Sequence, residues 1–347
     1  MNIFEKILSL IIISILLSHS VKTNVYAVQN TATPNPVDVG VFLHNSNDLF
    51  LSNIKKNLED IQRENENKVR FTFFDAKDNQ LTQNESINQA INKKFDLLII
   101  NLVNRNKSQI EDVINRAIKE NIPLIIYGSA NREIADFIRT YNRAIVIGGD
   151  NRQSGSLQGK ILANAWNANK EILDRNKDDK MQYVLFQGTY DSSAAIERTK
   201  YSIQTINDAG IKTEQLSSLV CNWDEECAKN AIESMFLVKG NKIEAILSNN
   251  DAMAIGAIKA LQKYGFNKGG DSKYIPVVGV DGLPEAKELI NQGIMTGTVV
   301  QDPSEHAKAI YTIGMNMISG TTPLNGTNYK FDETGITVRL FSKEYVK

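Results

Sequence analysis

Hydrogen-bonding side chains recur at the ends of short apolar runs in this 347-residue sequence. Asp48 follows VDVGVFL (37–43), Asn101 stands in FDLLIINLV (95–103), and Arg198 follows the loop after YVLFQG (183–188). Asn249, Asn250 and Asp251 close EAILSNND, Asp281 ends IPVVGVD (275–281), and Gln301 follows GTVV. Two flat rings accompany them: Phe50, and Trp223 in the polar segment CNWDEEC (221–227). Carboxylates and amides make in-plane hydrogen bonds, and arginine offers a planar fork of donors. Aromatic rings pack against the C–H faces of a pyranose. The set suits a neutral polyol such as a sugar. Each polar residue alone has a second reading, because Asp and Asn after a strand are common helix N-caps. Asn249 and Asp251 look most cap-like, since a helix starts there; Phe50 alone reads as core, as does Trp166. The binding reading rests on the concurrence at successive strand ends.

Those ends belong to a repeating pattern. Strand-like runs at 37–43, 69–75, 95–103 and 144–149 alternate with helical spacing, as at Leu51, Ile54, Leu58 and Ile61. The alternation restarts at 183–188 and continues to GTVVQD (297–302). Repeated βα units imply parallel sheets covered by helices on both faces. About 310 residues are too many for one such sheet, so the expected class is α/β with two doubly wound, Rossmann-like lobes. In open parallel sheets, ligands bind outside the carboxyl ends of the strands, where the polar set stands.

Lysine and arginine number 39 against 40 acidic residues, a formal charge of −1. That balance argues against nucleic acid as a partner. Histidine occurs only at 19, 44 and 306, which supplies a His-centred active site poorly. No phosphate loop, nucleophile elbow or His pair at ligand spacing is present, so an enzyme is not expected. Residues 7–17 (ILSLIIISILL) are too short to span a bilayer, and Val25-Tyr26-Ala27 fits a signal peptidase site. Residues 1–27 read as a secretory signal, with an uncleaved anchor as the alternative, and 28–36 read as a polar linker. The chain is expected in the periplasm or on the outer face of the cell membrane. No Cys follows the apolar run to carry a lipid.

DRNKDDKMQ (174–182) puts Asp174, Asn176, Asp178 and Gln182 at positions 1, 3, 5 and 9 of an EF-hand-like loop, with the Lys180 carbonyl at position 7. Asp179 replaces the usual Gly at position 6, and Leu185 the usual Glu at position 12. Spacing alone leaves calcium and a solvated charged loop both open. Cys221 and Cys227 are either two small buried residues or a local disulfide holding the Trp223 indole; export permits the bridge.

SNNDAMAIGAIKAL (248–261), PVVGVDGLPEA (276–286), GTVVQD, IINLV (99–103), QSGSLQGK (153–160), ERTKY (197–201) and GIKTEQL (210–216) resemble the bacterial periplasmic galactose/glucose-binding proteins. The likeness runs over nearly the whole chain after the signal. It implies a type I solute-binding protein of a sugar ABC transporter, with lobes at 37–128 plus about 303–328 and at 129–302 plus about 329–347. Three crossing segments would join them, with a monosaccharide in the cleft. By that resemblance Asp48, Asn101, Arg198, Asn250 and Asp281 become sugar ligands, and Phe50 and Trp223 sandwich the ring. It also supplies Glu244 as the distant calcium ligand that the loop lacks. The sequence departs from the family at three wall positions: Ser192 and Ala194 replace a His and an Asp, and Gln301 replaces an Asn. Each lost partner of a buried hydrogen bond costs about 1–3 kcal/mol. A ligand with fewer hydroxyls, such as a pentose, would leave less unpaired; alternatively Tyr190, Asp191 or Ser193 refills the wall. The partner is an ABC permease, or alternatively a membrane sensor kinase or chemoreceptor.

Overall fold

The computed structural model describes residues 35–347 apart from 129, 271 and 272. The expected signal at 1–27, and all but the end of the linker, lie outside the described residues.

The first lobe is built on β1 (Val37–Leu43), β2 (Val69–Asp75), β3 (Leu97–Ile100), β4 (Leu124–Tyr127), β5 (Ala144–Gly149) and β11 (Thr337–Leu340). The second uses β6 (Lys180–Gln187), β7 (Lys212–Val220), β8 (Ala245–Ser248), β9 (Val277–Asp281), β10 (Gly297–Val300) and β12 (Lys343–Val346). Sheet orders are β11-β5-β4-β3-β1-β2 and β12-β10-β9-β8-β6-β7. Pairings are parallel except β12, which runs antiparallel on β10. Central strands such as LLII (97–100) and LIIY (124–127) are buried along their whole length, as strands covered on both faces must be.

The lobe boundaries fall elsewhere than expected. β5 pairs with β4, so the chain through Gly149 stays in the first lobe instead of leaving it at 129. β11 pairs with β5, so of the expected 329–347 segment only β12 joins the second sheet. Strand-to-strand hydrogen bonds decide this, and no feature of the run AIVIGG itself says which sheet it completes. The chain thus crosses between lobes near 150, near 301–302 and near 341–342.

Helices α1 (Leu49–Glu64), α2 (Gln80–Asn92), α3 (Lys107–Lys119), α4 (Arg132–Ile138) and α10 (Pro303–Ile318) cover the first sheet. Helices α5 (Asn151–Leu173), α6 (Ser193–Asp208), α7 (Glu225–Lys239), α8 (Asp251–Lys263) and α9 (Pro284–Asn291) cover the second. Trp166 is 1% exposed in the second core, as its reading required. Helices α5 and α6 meet backbone to backbone at two glycines. A Cβ on Gly155 would lie 2.6 Å from the Arg198 carbonyl oxygen, and one on Gly159 2.4 Å from that of Ser202. This close approach seats the helix that carries Arg198. Among the described residues no helix is long and apolar enough to cross a membrane.

Candidate functional site

The carboxyl ends of both sheets face one another across a chamber of about 100 Å³. Asp48, Phe50 and Asn101 line it from the first lobe, and Ser192, Arg198, Trp223, Asn250 and Asp281 from the second, with Gln301 at a crossing. All nine expected binding residues therefore converge.

Three of them line the chamber and also cap a helix. Asp48 caps α1 by accepting from the Leu51 N–H at 2.8 Å, Ser192 caps α6, and Asn250 caps α8 through the Met253 N–H at 3.0 Å. The cap of α8 is thus Asn250, where the sequence favoured its two neighbours. The reason lies in longer-range bonds. Asn249 spends its side chain on the Gly188 N–H and the Thr199 hydroxyl. Asp251 is the first helical residue; it accepts from the Gly282 and Leu283 N–H groups at 2.7 and 2.8 Å and from the Thr298 hydroxyl at 2.6 Å. Those bonds hold the chain just past Asp281, whose φ of 128° is a costly conformation for a side-chain-bearing residue. The strain turns up where Asp281 lines the chamber.

Arg198 is fully enclosed. Its Nη1 donates to the Asn249 carbonyl at 2.8 Å and its Nε to Asn151 Oδ1 at 3.2 Å, while Nη1 lies 3.9 Å from Asp281 Oδ1. Burial pulls the guanidinium below its ordinary pKa, opposed by Asp281, Asp251 and Asp48. Burial likewise pushes Asp281 well above the carboxylate range, against the Arg198 charge. Gln301 Nε2 donates to Asp281 at 2.9 Å, so the amide that replaces the family Asn holds this carboxylate. Desolvated groups of this kind interact strongly with a ligand that replaces water.

The two rings are positioned differently. Phe50 meets His306 edge to face at 5.4 Å. Trp223 lies against Gly188, where a Cβ would fall 2.0 Å from Cζ2, and its carbonyl accepts from Asn250 Nδ2 at 3.1 Å. Asn222 and Trp223 both adopt left-handed backbone, φ 50° and 68°. Cys221 and Cys227 are joined by a disulfide, Cα–Cα 5.5 Å, which closes this loop.

Sequence reasoning passed over five polar residues that line the same chamber: His44, Arg105, Tyr127, Asn151 and His306. His44 is held by Asn101 Oδ1, 2.6 Å from Nδ1. His306 Nδ1 and the Tyr127 hydroxyl are 2.9 Å apart. Burial lowers the His306 pKa to about 4, so its imidazole is neutral near pH 7. His44 stood one residue past a strand and was legible; His306 comes from the first turns of a helix and Arg105 from a loop, with no local signal. Of the residues offered to refill the wall, Tyr190 is 82% exposed. Ser193 Oγ reaches the Ala130 carbonyl at 3.5 Å, and Asp191 pairs with Arg105.

The 174–182 loop folds around its own oxygens. Asp174 accepts from the Asp178 and Asp179 N–H groups, and Asn176 Oδ1 also accepts from Asp178 N–H. Asp178 accepts from the Lys180 N–H and from Gln182 Nε2. Glu244, 1% exposed, accepts from the Arg175 and Gln182 N–H groups. Asp179 takes a φ of 63°, in the left-handed region. Among the described residues, no group of three Asp, Glu, His or Cys side chains forms a metal cluster; the loop's remaining donors are amides and a carbonyl.

Residues 39–322 match the periplasmic binding protein domain. The D-galactose/methyl-galactoside binding periplasmic protein of Haemophilus influenzae is 33% identical over 86% of this chain and 87% of its own. The D-ribose/D-allose-binding protein of Pseudomonas aeruginosa is 27% identical over 51% of this chain and 50% of its own. Among solved structures, an ABC transporter solute binding protein from Bacillus halodurans with bound myo-inositol superposes with a TM-score of 0.72 at 22% identity, covering 90% of this chain and 95% of that one. A galactofuranose binding protein gives 0.73 at 19% identity over 90% and 95%. At these identities the structures speak for the fold.

Proposed function

The chain belongs to the periplasmic binding protein family, among the sugar-binding members that serve ABC transporters and are not enzymes, and from that premise we propose that it captures one galactose- or glucose-like monosaccharide outside the cytoplasm and delivers it to a membrane permease. The observation that carries this reading is the chamber itself. Its donors and rings come from both lobes, so a bound sugar favours the closed arrangement through contacts that the open one lacks. Asp48, Asp281, Arg198 and Asn250 supply in-plane hydrogen bonds, and Phe50 and Trp223 supply apolar faces. No observation in the cleft favours the alternative of a sensor kinase or chemoreceptor partner.

A pentose is the second reading, and the wall at Ser192 and Ala194 favours it. Ser192 and Ala194 are both small and Ala194 offers no polar atom, so a hydroxyl facing Ala194 goes unmatched. Calorimetric titration with D-galactose, D-glucose, D-ribose and L-arabinose tests both. One tight hexose supports the first reading, a tight pentose the second, and no binding to any sugar refutes the proposal.

The 174–182 loop we assign to calcium. Its donor set is all oxygen, the chemistry calcium takes: Asp174, Asn176, Asp178, the Lys180 carbonyl, Gln182 and Glu244. Burial and the neighbouring Asp174 raise the Glu244 pKa, a cost that a cation would relieve.

A further inference from the structure

Arg105 enters the chamber from the loop after β3, in the first lobe, with its side chain 7% exposed. Its partner belongs to the second lobe. Asp191, between β6 and α6, accepts from the Arg105 backbone N–H at 3.2 Å through Oδ2, and its Oδ1 lies 3.4 Å from Nη1. On the other side the Arg105 carbonyl accepts from Asn131 Nδ2 at 2.6 Å, and Asn131 caps α4. The residue is therefore fixed at its backbone from both lobes. Arg105 lines the same chamber as Ser192 and Ala194, and its partner Asp191 directly precedes Ser192 in the chain. Arg105 also lines a second pocket of about 590 Å³ shared with Thr189, Asn222 and Trp223. It is thus shared by the chamber and that second pocket.

We propose that Arg105 is a specificity-determining sugar contact, held over the ligand by Asp191 of the opposite lobe, and that this pair locks the cleft shut. The proposal rests on the sugar-binding reading. A guanidinium can donate to a carboxylate along one edge and to sugar hydroxyls along another. Opening separates the lobes and breaks both bonds to Asp191, so the pair slows release more than capture. It also gives the chamber wall donors without acceptors, which selects sugars whose oxygens there accept.

Stopped-flow kinetics with D-galactose and L-arabinose tests the contact. Asp191→Asn and Arg105→Gln should each raise the dissociation rate about tenfold while association changes little, and the double variant should be no worse than either single one. Arg105→Lys keeps the charge but loses the fork, so the ratio of the two sugar affinities should shift. Unchanged dissociation, or strictly additive effects, overturns the lock; an unchanged sugar ratio in Arg105→Lys overturns the specificity role. If wild type binds neither of these sugars nor D-glucose or D-ribose, the sugar reading and the contact role fall together. The lock is then decided without ligand. Hydrogen exchange at the Arg105 amide should rise about tenfold in Asp191→Ala, and equal exchange refutes it.

Discussion

Breaking the Cys221–Cys227 bridge should weaken sugar binding by about as much free energy as it takes from the fold, and so cost affinity about 10-fold or more while lowering the melting temperature by only a few degrees. The bridge joins residues six apart, so it closes a seven-residue loop. Chain entropy for so short a loop gives about 2 kcal/mol of global stability. For about 310 residues that is a fall in melting temperature of about 3 °C. The effect on the site has a different origin. Asn222 and Trp223 sit consecutively in left-handed backbone, at φ 50° and 68°. Each such residue costs about 1–2 kcal/mol. Without the bridge, the hydrogen bonds from Asn250 Nδ2 to the Trp223 carbonyl and from Asp224 N–H to the Cys221 carbonyl must hold both. If the loop relaxes in the ligand-free protein, binding must restore it and immobilise the indole as well. A reordering cost of about 1.5–3 kcal/mol corresponds to a loss of affinity of about 10- to 100-fold. The assay is calorimetric titration of wild type, with and without reductant, against Cys221→Ser/Cys227→Ser. Two titratable thiols in unreduced, denatured protein would refute the bridge. A double variant that binds as tightly as wild type would refute the preorganisation argument alone.

His306 makes stability depend on pH. Its folded pKa of about 4 lies below the usual 6.5, so the neutral form is favoured by folding. That contribution is present above about pH 6.5 and is lost as pH falls toward 4, about 3 kcal/mol in all. Urea unfolding at pH 7 and 4.5 should show a smaller acid loss in His306→Gln than in wild type; equal losses would sink the argument. Arg198→Leu leaves Asp281 buried without its cation, so stability should drop by about 3 kcal/mol or more and binding should fall below detection; retained micromolar binding would show that Arg198 is not a ligand. Chelating calcium should lower the melting temperature without abolishing sugar binding, because the 174–182 loop runs into the start of β6 and lies outside the residues that line the chamber. An unchanged melting curve in chelator, with no metal in the purified protein, would return that loop to a solvated turn.

The amino-acid sequence determined by itself whatever depends on neighbours along the chain. Alternating apolar runs and helical spacings specified two sets of βα units, since burial on both faces of a strand such as LLII demands continuous apolar residues. The strand ends then nominated Asp48, Asn101, Arg198, Asn250 and Asp281, because a parallel sheet aims its carboxyl ends at one cleft. Even the Cys221–Cys227 bridge was legible, its two residues lying six apart in an exported segment. Tertiary structure decided what depends on distant partners. Which sheet takes β5 rests on its pairing with β4, and which takes β11 on hydrogen bonds to β5 almost 200 residues earlier. Whether Asn249, Asn250 or Asp251 caps α8 turned on bonds to Gly188, Trp223 and Gly282. His306 and Arg105 reach the chamber from a helix and a loop whose local sequence carries no mark of it. Only closure of the two lobes brings Arg105 to Asp191, 86 residues away. Local pattern encodes elements through short-range sterics and burial, while the identity of a wall is set by which surfaces meet, and that is a property of the packed chain.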